Sequence, residues 1–193
     1  MSISNHTSHS RSTSRVVFVL AALILAVFAA SAQSTRAATA NLVVNGSFEK
    51  DTNGDGVPNG WIGFFLDPGD KRVCNQSKAG ACSFKLVGDG SYKYIKQQIA
   101  HNGTSFDDFT LSGWMKGKDI VTGGGTARVM VEFTHTAGGS NINYLTLIAS
   151  TPWTFFTQTV VPTAAYDGIV VYVQMDIASG KVWYDKVSLV LQP

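Results

Sequence analysis

Ile169-Val170-Val171-Tyr172-Val173-Gln174-Met175-Asp176-Ile177 decides the reading of this chain. Ile169, Val171, Val173, Met175 and Ile177 fall on one side of an extended segment, and Val170, Tyr172, Gln174 and Asp176 on the other. That period of two marks a strand with one buried face. The same alternation recurs upstream, where Val129, Val131 and Phe133 oppose Arg128, Met130, Glu132 and Thr134. It recurs again where Leu111, Gly113 and Met115 oppose Ser112, Trp114 and Lys116.

Further strands are predicted over residues 41–44, 60–66, 83–87, 92–100, 109–116, 127–136, 142–148, 155–161, 169–177 and 182–191. Gly-Asp-Gly at 88–90, Asn102-Gly103, the glycines 123–125, Gly138-Gly139, Asp167-Gly168 and Ser179-Gly180 separate them with turn chemistry. No segment after Ala40 sustains an apolar i, i+3, i+4, i+7 stripe, so helices to cover a parallel sheet are absent. Many short strands without helices predict an all-β, two-sheet antiparallel jelly-roll sandwich.

The start of the chain reads differently. Arg11 and Arg15 precede the apolar run Val16 to Ala30, and Ala30-Ser31-Ala32 follows as a small-x-small cleavage pattern. Residues 1–32 are expected to be a signal peptide cut after Ala32 or nearer Ala40, with 33–40 a short linker and 41–193 one sandwich domain. The run is shorter than the roughly 20 residues that cross a bilayer as a helix. Secretion without a lasting membrane anchor follows as the expectation. Removing Arg11 and Arg15 from the 15 Lys and Arg leaves as many as the 13 Asp and Glu. With no basic excess and no basic run in the sequence, nucleic-acid binding lacks its electrostatic requirement.

The two cysteines, Cys74 and Cys82, bracket seven residues. In an exported chain that spacing predicts a disulfide closing a short loop. The competing reading, a reactive thiol or metal pair, has no histidine placed nearby to support it.

Several segments together resemble the jelly-roll carbohydrate-binding modules of families four, nine and twenty-two. They are Asn41-Leu42-Val43-Val44-Asn45-Gly46-Ser47-Phe48-Glu49, Asp55-Gly56-Val57-Pro58-Asn59-Gly60-Trp61, and the closing Val182-Trp183-Tyr184-Asp185-Lys186-Val187-Ser188-Leu189. Phe109 to Lys116 and Trp153 to Phe156 lie between them in the expected order. Phe48 and Trp61, flanking a polar turn, should plug one end of the core. The resemblance implies a structural calcium ion joining the first and last strands, with Glu49 and Asp185 as side-chain ligands; the bland alternative is turn hydrogen bonds or ion pairs. A second candidate is Asp51-Thr52-Asn53-Gly54-Asp55-Gly56, which opens like a calcium loop with Asp51, Asn53 and Asp55. Ile62 stands where a helix-flanked calcium hand needs Glu, so only a looser site or a plain turn remains.

If the three alternating strands are neighbours in one sheet, their polar sides converge on Trp114, Arg128, Met130, Glu132, Tyr172, Gln174 and Asp176. Aromatic faces beside planar hydrogen-bonding groups suit a pyranose ring, with its apolar C–H patches and equatorial hydroxyls. Tyr92, Tyr94 and Tyr144 are candidate extensions. Trp153 is expected at the sandwich edge, and Trp183, in parity with Val187 and Leu189, in or near the core. The expected function is a secreted, non-catalytic, monomeric module gripping a polysaccharide or glycan on a concave sheet face, with an exported glycan-active enzyme as a possible partner. A structural or adhesive sandwich is the alternative, and a glycan-degrading enzyme the weaker one: Glu132 and Asp176 could pair, but no Ser-His-Asp or metal-ligand spacing is visible.

Overall fold

A computed structural model describes residues 40–193; the expected signal peptide and all but the last residue of the linker lie outside the described residues. The chain forms ten strands: β1 (Ile62–Phe64), β2 (Lys71–Val73), β3 (Ser83–Gly88), β4 (Lys93–Ile99), β5 (Phe109–Val121), β6 (Ala127–His135), β7 (Ser140–Leu147), β8 (Thr151–Val160), β9 (Tyr166–Met175) and β10 (Ser179–Leu191). They build two five-stranded sheets, β1-β4-β9-β6-β7 in front and β2-β3-β10-β5-β8 behind. Every pairing is antiparallel. This is the predicted antiparallel jelly-roll sandwich.

Register explains the core. Ile95, Val173, Val129 and Leu145 align across β4, β9, β6 and β7, all on the inner side. From the back sheet Leu86 aligns with Val182, and Phe84 with Tyr184 and Met115. Each such side chain, fully buried, contributes about 1.5–3 kcal/mol of hydrophobic stabilisation. The buried Tyr184 hydroxyl donates to the Gln174 carbonyl at 2.9 Å, pinning one sheet to the other. Phe48 packs on Trp61 at 5.4 Å and on Phe84 at 6.0 Å, so this pair does close one end of the core.

Two departures from simple alternation matter. The segment 41–44 is not a full strand; Asn41 makes a single bridge to Val190, and its side-chain oxygen accepts from the N–H groups of Val43 and Leu189. In β10 a bulge between Asp185 and Ser188 inserts one extra residue against β5, and Lys186 takes a φ of 50° there. The bulge inverts the parity of the strand. Val182 and Tyr184 therefore share the inner side with Val187 and Leu189. Trp183 is corrected from the core to the outer face of the back sheet, aligned with Lys85 and Lys116 and covered to 7% exposure. Trp153 lies on β8, an edge strand, as expected.

Cys74 and Cys82 are bonded, with an S–S distance of 2.02 Å. The closed loop presses against the start and end of the chain: Lys78 and Ala79 donate their backbone N–H groups to Asp185, and Ala81 and Cys82 donate theirs to Glu49.

Candidate functional site

The outer face of the front sheet gathers side chains in rows, because partners in register point the same way. One row runs Phe64, Tyr94, Gln174, Arg128, Thr146 across all five strands. The next runs Ile62, Lys96, Tyr172, Met130, Tyr144. A third carries Gln98, Val170, Glu132 and Ile142. Neighbouring strands are about 4.8 Å apart, so successive members of a row stand within reach of one sugar ring.

The aromatic groups form a connected strip. Phe64 stacks on Tyr94 with centroids at 4.9 Å and planes 15° apart; Tyr94 meets Tyr92 at 5.3 Å and Tyr172 at 5.7 Å. Phe65, 71% exposed, adds an edge contact to Tyr94 at 6.2 Å. Its φ of 57° is costly for a bulky residue, and it holds the ring at the rim. Cations sit on this strip: Lys96 lies 5.0 Å from the Phe64 centroid and Arg128 lies 4.7 Å from that of Tyr144.

Hydrogen bonds fix the polar members. Tyr172 donates to Glu132 Oε2 at 2.8 Å, and Tyr92 donates to Gln174 Oε1 at 2.7 Å. The Tyr172 hydroxyl is held well above the usual phenol range, chiefly by burial and then by the Glu132 carboxylate it bonds. Burial likewise raises Tyr92. Both phenols stay neutral donors across the physiological range, and their rings are oriented before any ligand arrives, which lowers the ordering cost of binding.

Arg128, Met130, Glu132, Tyr172 and Gln174 thus come together on one face. Met130 and Gln174 are 8% and 4% exposed, so they form its floor. Trp114 does not join them. Its strand β5 lies in the back sheet between β10 and β8, so the expectation that all three alternating strands share a sheet is corrected. The parity of β5 was right, and Trp114 does point outward, but on the opposite side of the molecule. There it packs on Phe155 at 5.3 Å beneath the Lys78 ammonium at 4.0 Å. Asp176 is corrected as well: it follows the end of β9, and its Oδ1 accepts from the Thr126 backbone N–H, closing the turn into β6. Glu132 is engaged instead by the Tyr172 hydroxyl.

Tyr92, Tyr94 and Tyr144 do lie on the face, as extensions. Phe64, Phe65 and Lys96 complete it. Strand parity of β4 placed Lys96 with Tyr92 and Tyr94, whereas β1 is too short for any periodic signal to single out Phe64. Clefts of about 370 Å³ beside Gly60 and Gln97 and about 420 Å³ beside Trp61 and Ile62 border β1. Neither is lined by Tyr94, Tyr172 or Arg128.

Among the described residues no group of three or more His, Cys, Asp or Glu could hold a metal ion. Glu49 and Asp185 nonetheless share the disulfide loop as neighbours. Asp185 is fully buried, and its pKa is raised by that burial, with the nearby Glu49 charge adding to the rise against three backbone N–H donors that lower it. Both carboxylates accept from backbone N–H groups, the turn hydrogen bonds of the alternative reading, while as oxygen donors they are of the kind a hard cation takes. Asp51, Asn53 and Asp55 form a plain turn: Asp51 accepts from the Gly54 and Gly56 N–H groups, and Asp55 from Asn53 and Val57.

No family model matches the chain, and no curated protein does. Solved structures share its fold. A family 16 carbohydrate-binding module aligns at 24% identity over 78% of this chain and 99% of its own, with a TM-score of 0.61. A family 61 module, solved with β-1,4-galactotriose, aligns at 14% identity over 79% and 99%, with a TM-score of 0.55. A family 22 xylan-binding domain from Paenibacillus barcinonensis aligns at 16% identity over 79% and 95%, with a TM-score of 0.52. The β-sandwich of this chain is that of the jelly-roll carbohydrate-binding modules.

Proposed function

We propose that the protein is an exported, non-catalytic module that binds a polysaccharide on the outer face of the front sheet. The observation that carries this is the pair of adjacent rows holding Phe64, Tyr94 and Tyr172 beside Gln174, Arg128 and Lys96. Aromatic faces take the C–H patches of sugar rings while the amide and cationic groups donate to hydroxyls. The row from Phe64 to Thr146 spans all five strands of the sheet, which suits a polymer laid across it better than a small molecule. The modules that share the fold, two of them named for a bound galactotriose or for xylan, support the same reading. Export rests on the leader pattern, and the absence of catalysis on a face whose one carboxylate is tied to Tyr172.

The test is affinity electrophoresis through gels holding soluble polysaccharides. Replacing Tyr94 and Tyr172 together by Ala is expected to weaken retention by about tenfold or more, as loss of central aromatic anchors does. The melting temperature should fall by no more than the lost ring contacts of Tyr94 and Tyr172 account for, with the fold retained, so retention is read well below it. Unchanged retention would remove the face from the binding site. Release of reducing sugar by the wild-type protein would overturn the non-catalytic part.

The reading includes a structural calcium ion at Glu49 and Asp185. Such an ion would cross-link the two ends of the domain and relieve the repulsion between the carboxylates. What supports it is the burial of Asp185 beside Glu49.

A further inference from the structure

Arg128 stands at the second position of β6, at one end of the front face, and makes no ion pair. Every ion pair among the described residues belongs to Lys93, which stands one row from Arg128 in the register but points to the inner side of β4, the opposite face of the sheet. The Arg128 Nε is buried and has no hydrogen-bond acceptor. The guanidinium is held over Tyr144, so its plane is set and its fork is not free to search for a partner. Glu132 lies four residues along the same strand, about 13 Å away at 3.4 Å per residue, and is engaged by Tyr172. Asp176 makes no ion pair, and its Oδ1 accepts from the Thr126 backbone N–H. A second cation, Lys96, faces outward across β9 from Arg128, on Phe64, and it too makes no ion pair.

A polymer lying over this face would strip water from both cations. Sugar hydroxyls could accept from their N–H groups, yet the charges would remain uncompensated at a cost that grows with burial. A carboxylate removes that cost, because its two oxygens match the guanidinium fork and cancel its charge.

Resting on the sugar-binding reading above, we propose that the face selects an acidic polysaccharide, its uronic-acid carboxylate seated on Arg128 with Lys96 as the second cationic contact. The end of the face around Arg128, Gln174 and Tyr94 receives the acid group, and the end around Glu132 receives neutral hydroxyls. Selectivity then comes from charge at one end and ring stacking along the strip.

The experiment compares polygalacturonate, polymannuronate and glucuronoxylan, each with its carboxyl-reduced counterpart, alongside neutral galactan, xylan and β-glucan. The wild-type protein is expected to hold at least one native polyuronate about tenfold or more tightly than its reduced form, with affinity falling as salt rises. Arg128→Gln should weaken binding of the native polyuronate far more than that of its reduced form and so abolish the difference between them, and Lys96→Gln should narrow it. Equal or tighter binding of every reduced form overturns the charge selectivity and leaves the sugar-binding reading standing. If none of these polymers is retained, and Tyr94→Ala changes nothing, both fall together. A native-over-reduced preference that survives both variants places the acid contact elsewhere and overturns the assignment to Arg128.

Discussion

Trp114 shows what a single residue owes to its surroundings. Its flanks announce an outward side chain, and it is one, yet it rests against Phe155 under Lys78 on the far sheet. Trp114→Ala should therefore leave polysaccharide retention unchanged and cost about 1–2 kcal/mol of stability through lost stacking and apolar contact. Thermal unfolding and affinity electrophoresis of the same variant check both halves; lost retention with an unmoved melting temperature would return Trp114 to the binding site. The alternation of β5 was legible because a period of two needs only local sequence. Which sheet β5 joins depends on pairings with β8 and β10, more than 30 residues away, and leaves no local mark. Trp183 failed for the opposite reason: one bulge residue, Lys186, inverts parity within the strand itself.

Among the elements, β4 is anchored at its first residue in a way its composition conceals. Lys93 points inward at 1% exposure and meets Asp67 at 2.6 Å, Asp89 at 2.8 Å and Asp70 at 3.2 Å. Burial pulls its pKa down, but the hydrogen bonds it donates to the three carboxylates outweigh it and hold the ammonium charged. Asp70 also accepts from the Val87 N–H, so the cluster ties the turn after β1 to β3 and β4. The hydrogen bond from Lys93 holds Asp89 at about 2, below its ordinary 3.8. A carboxylate whose pKa is lower in the folded state stabilises the fold above 3.8 and loses that contribution as pH falls toward 2. Melting temperatures measured from pH 5 to pH 2 should fall, and Asp89→Asn should flatten part of that fall; parallel curves for the two proteins would remove Asp89 as the group responsible. Asp89 is largely exposed, so the effect is modest. Nine of the ten strands were foreshadowed by segments rich in strand-forming residues between turn signals. The exception, Lys71–Val73, is three residues long with two charges, too brief for any period to register.

At the scale of the whole molecule, the fold sorts a nearly neutral set of charges by side. Lys71, Lys85, Trp183 and Lys116 align across the back sheet, with Lys181 and Lys118 beside them, although no run of basic residues exists along the chain. Burial, then repulsion from Lys181 and Lys71, lowers the pKa of Lys85. The aromatic strip is on the other side. The calcium reading also belongs here, since its ligands sit near opposite ends of the domain sequence. A chelator should lower the melting temperature, in proportion to how far the ion exceeded its dissociation constant; an unmoved curve would leave the amide contacts to Glu49 and Asp185 as the whole of the junction.

The bridge from Asn41 to Val190 has a practical corollary. The first and last described segments are stitched together along the central strand of the back sheet, so a tether joined just before Asn41 and one joined just after Val190 depart from the same corner. Grafted onto a bead, a biosensor chip or a neighbouring catalytic unit by that corner, the domain would offer its tyrosines outward like a hand held away from the sleeve.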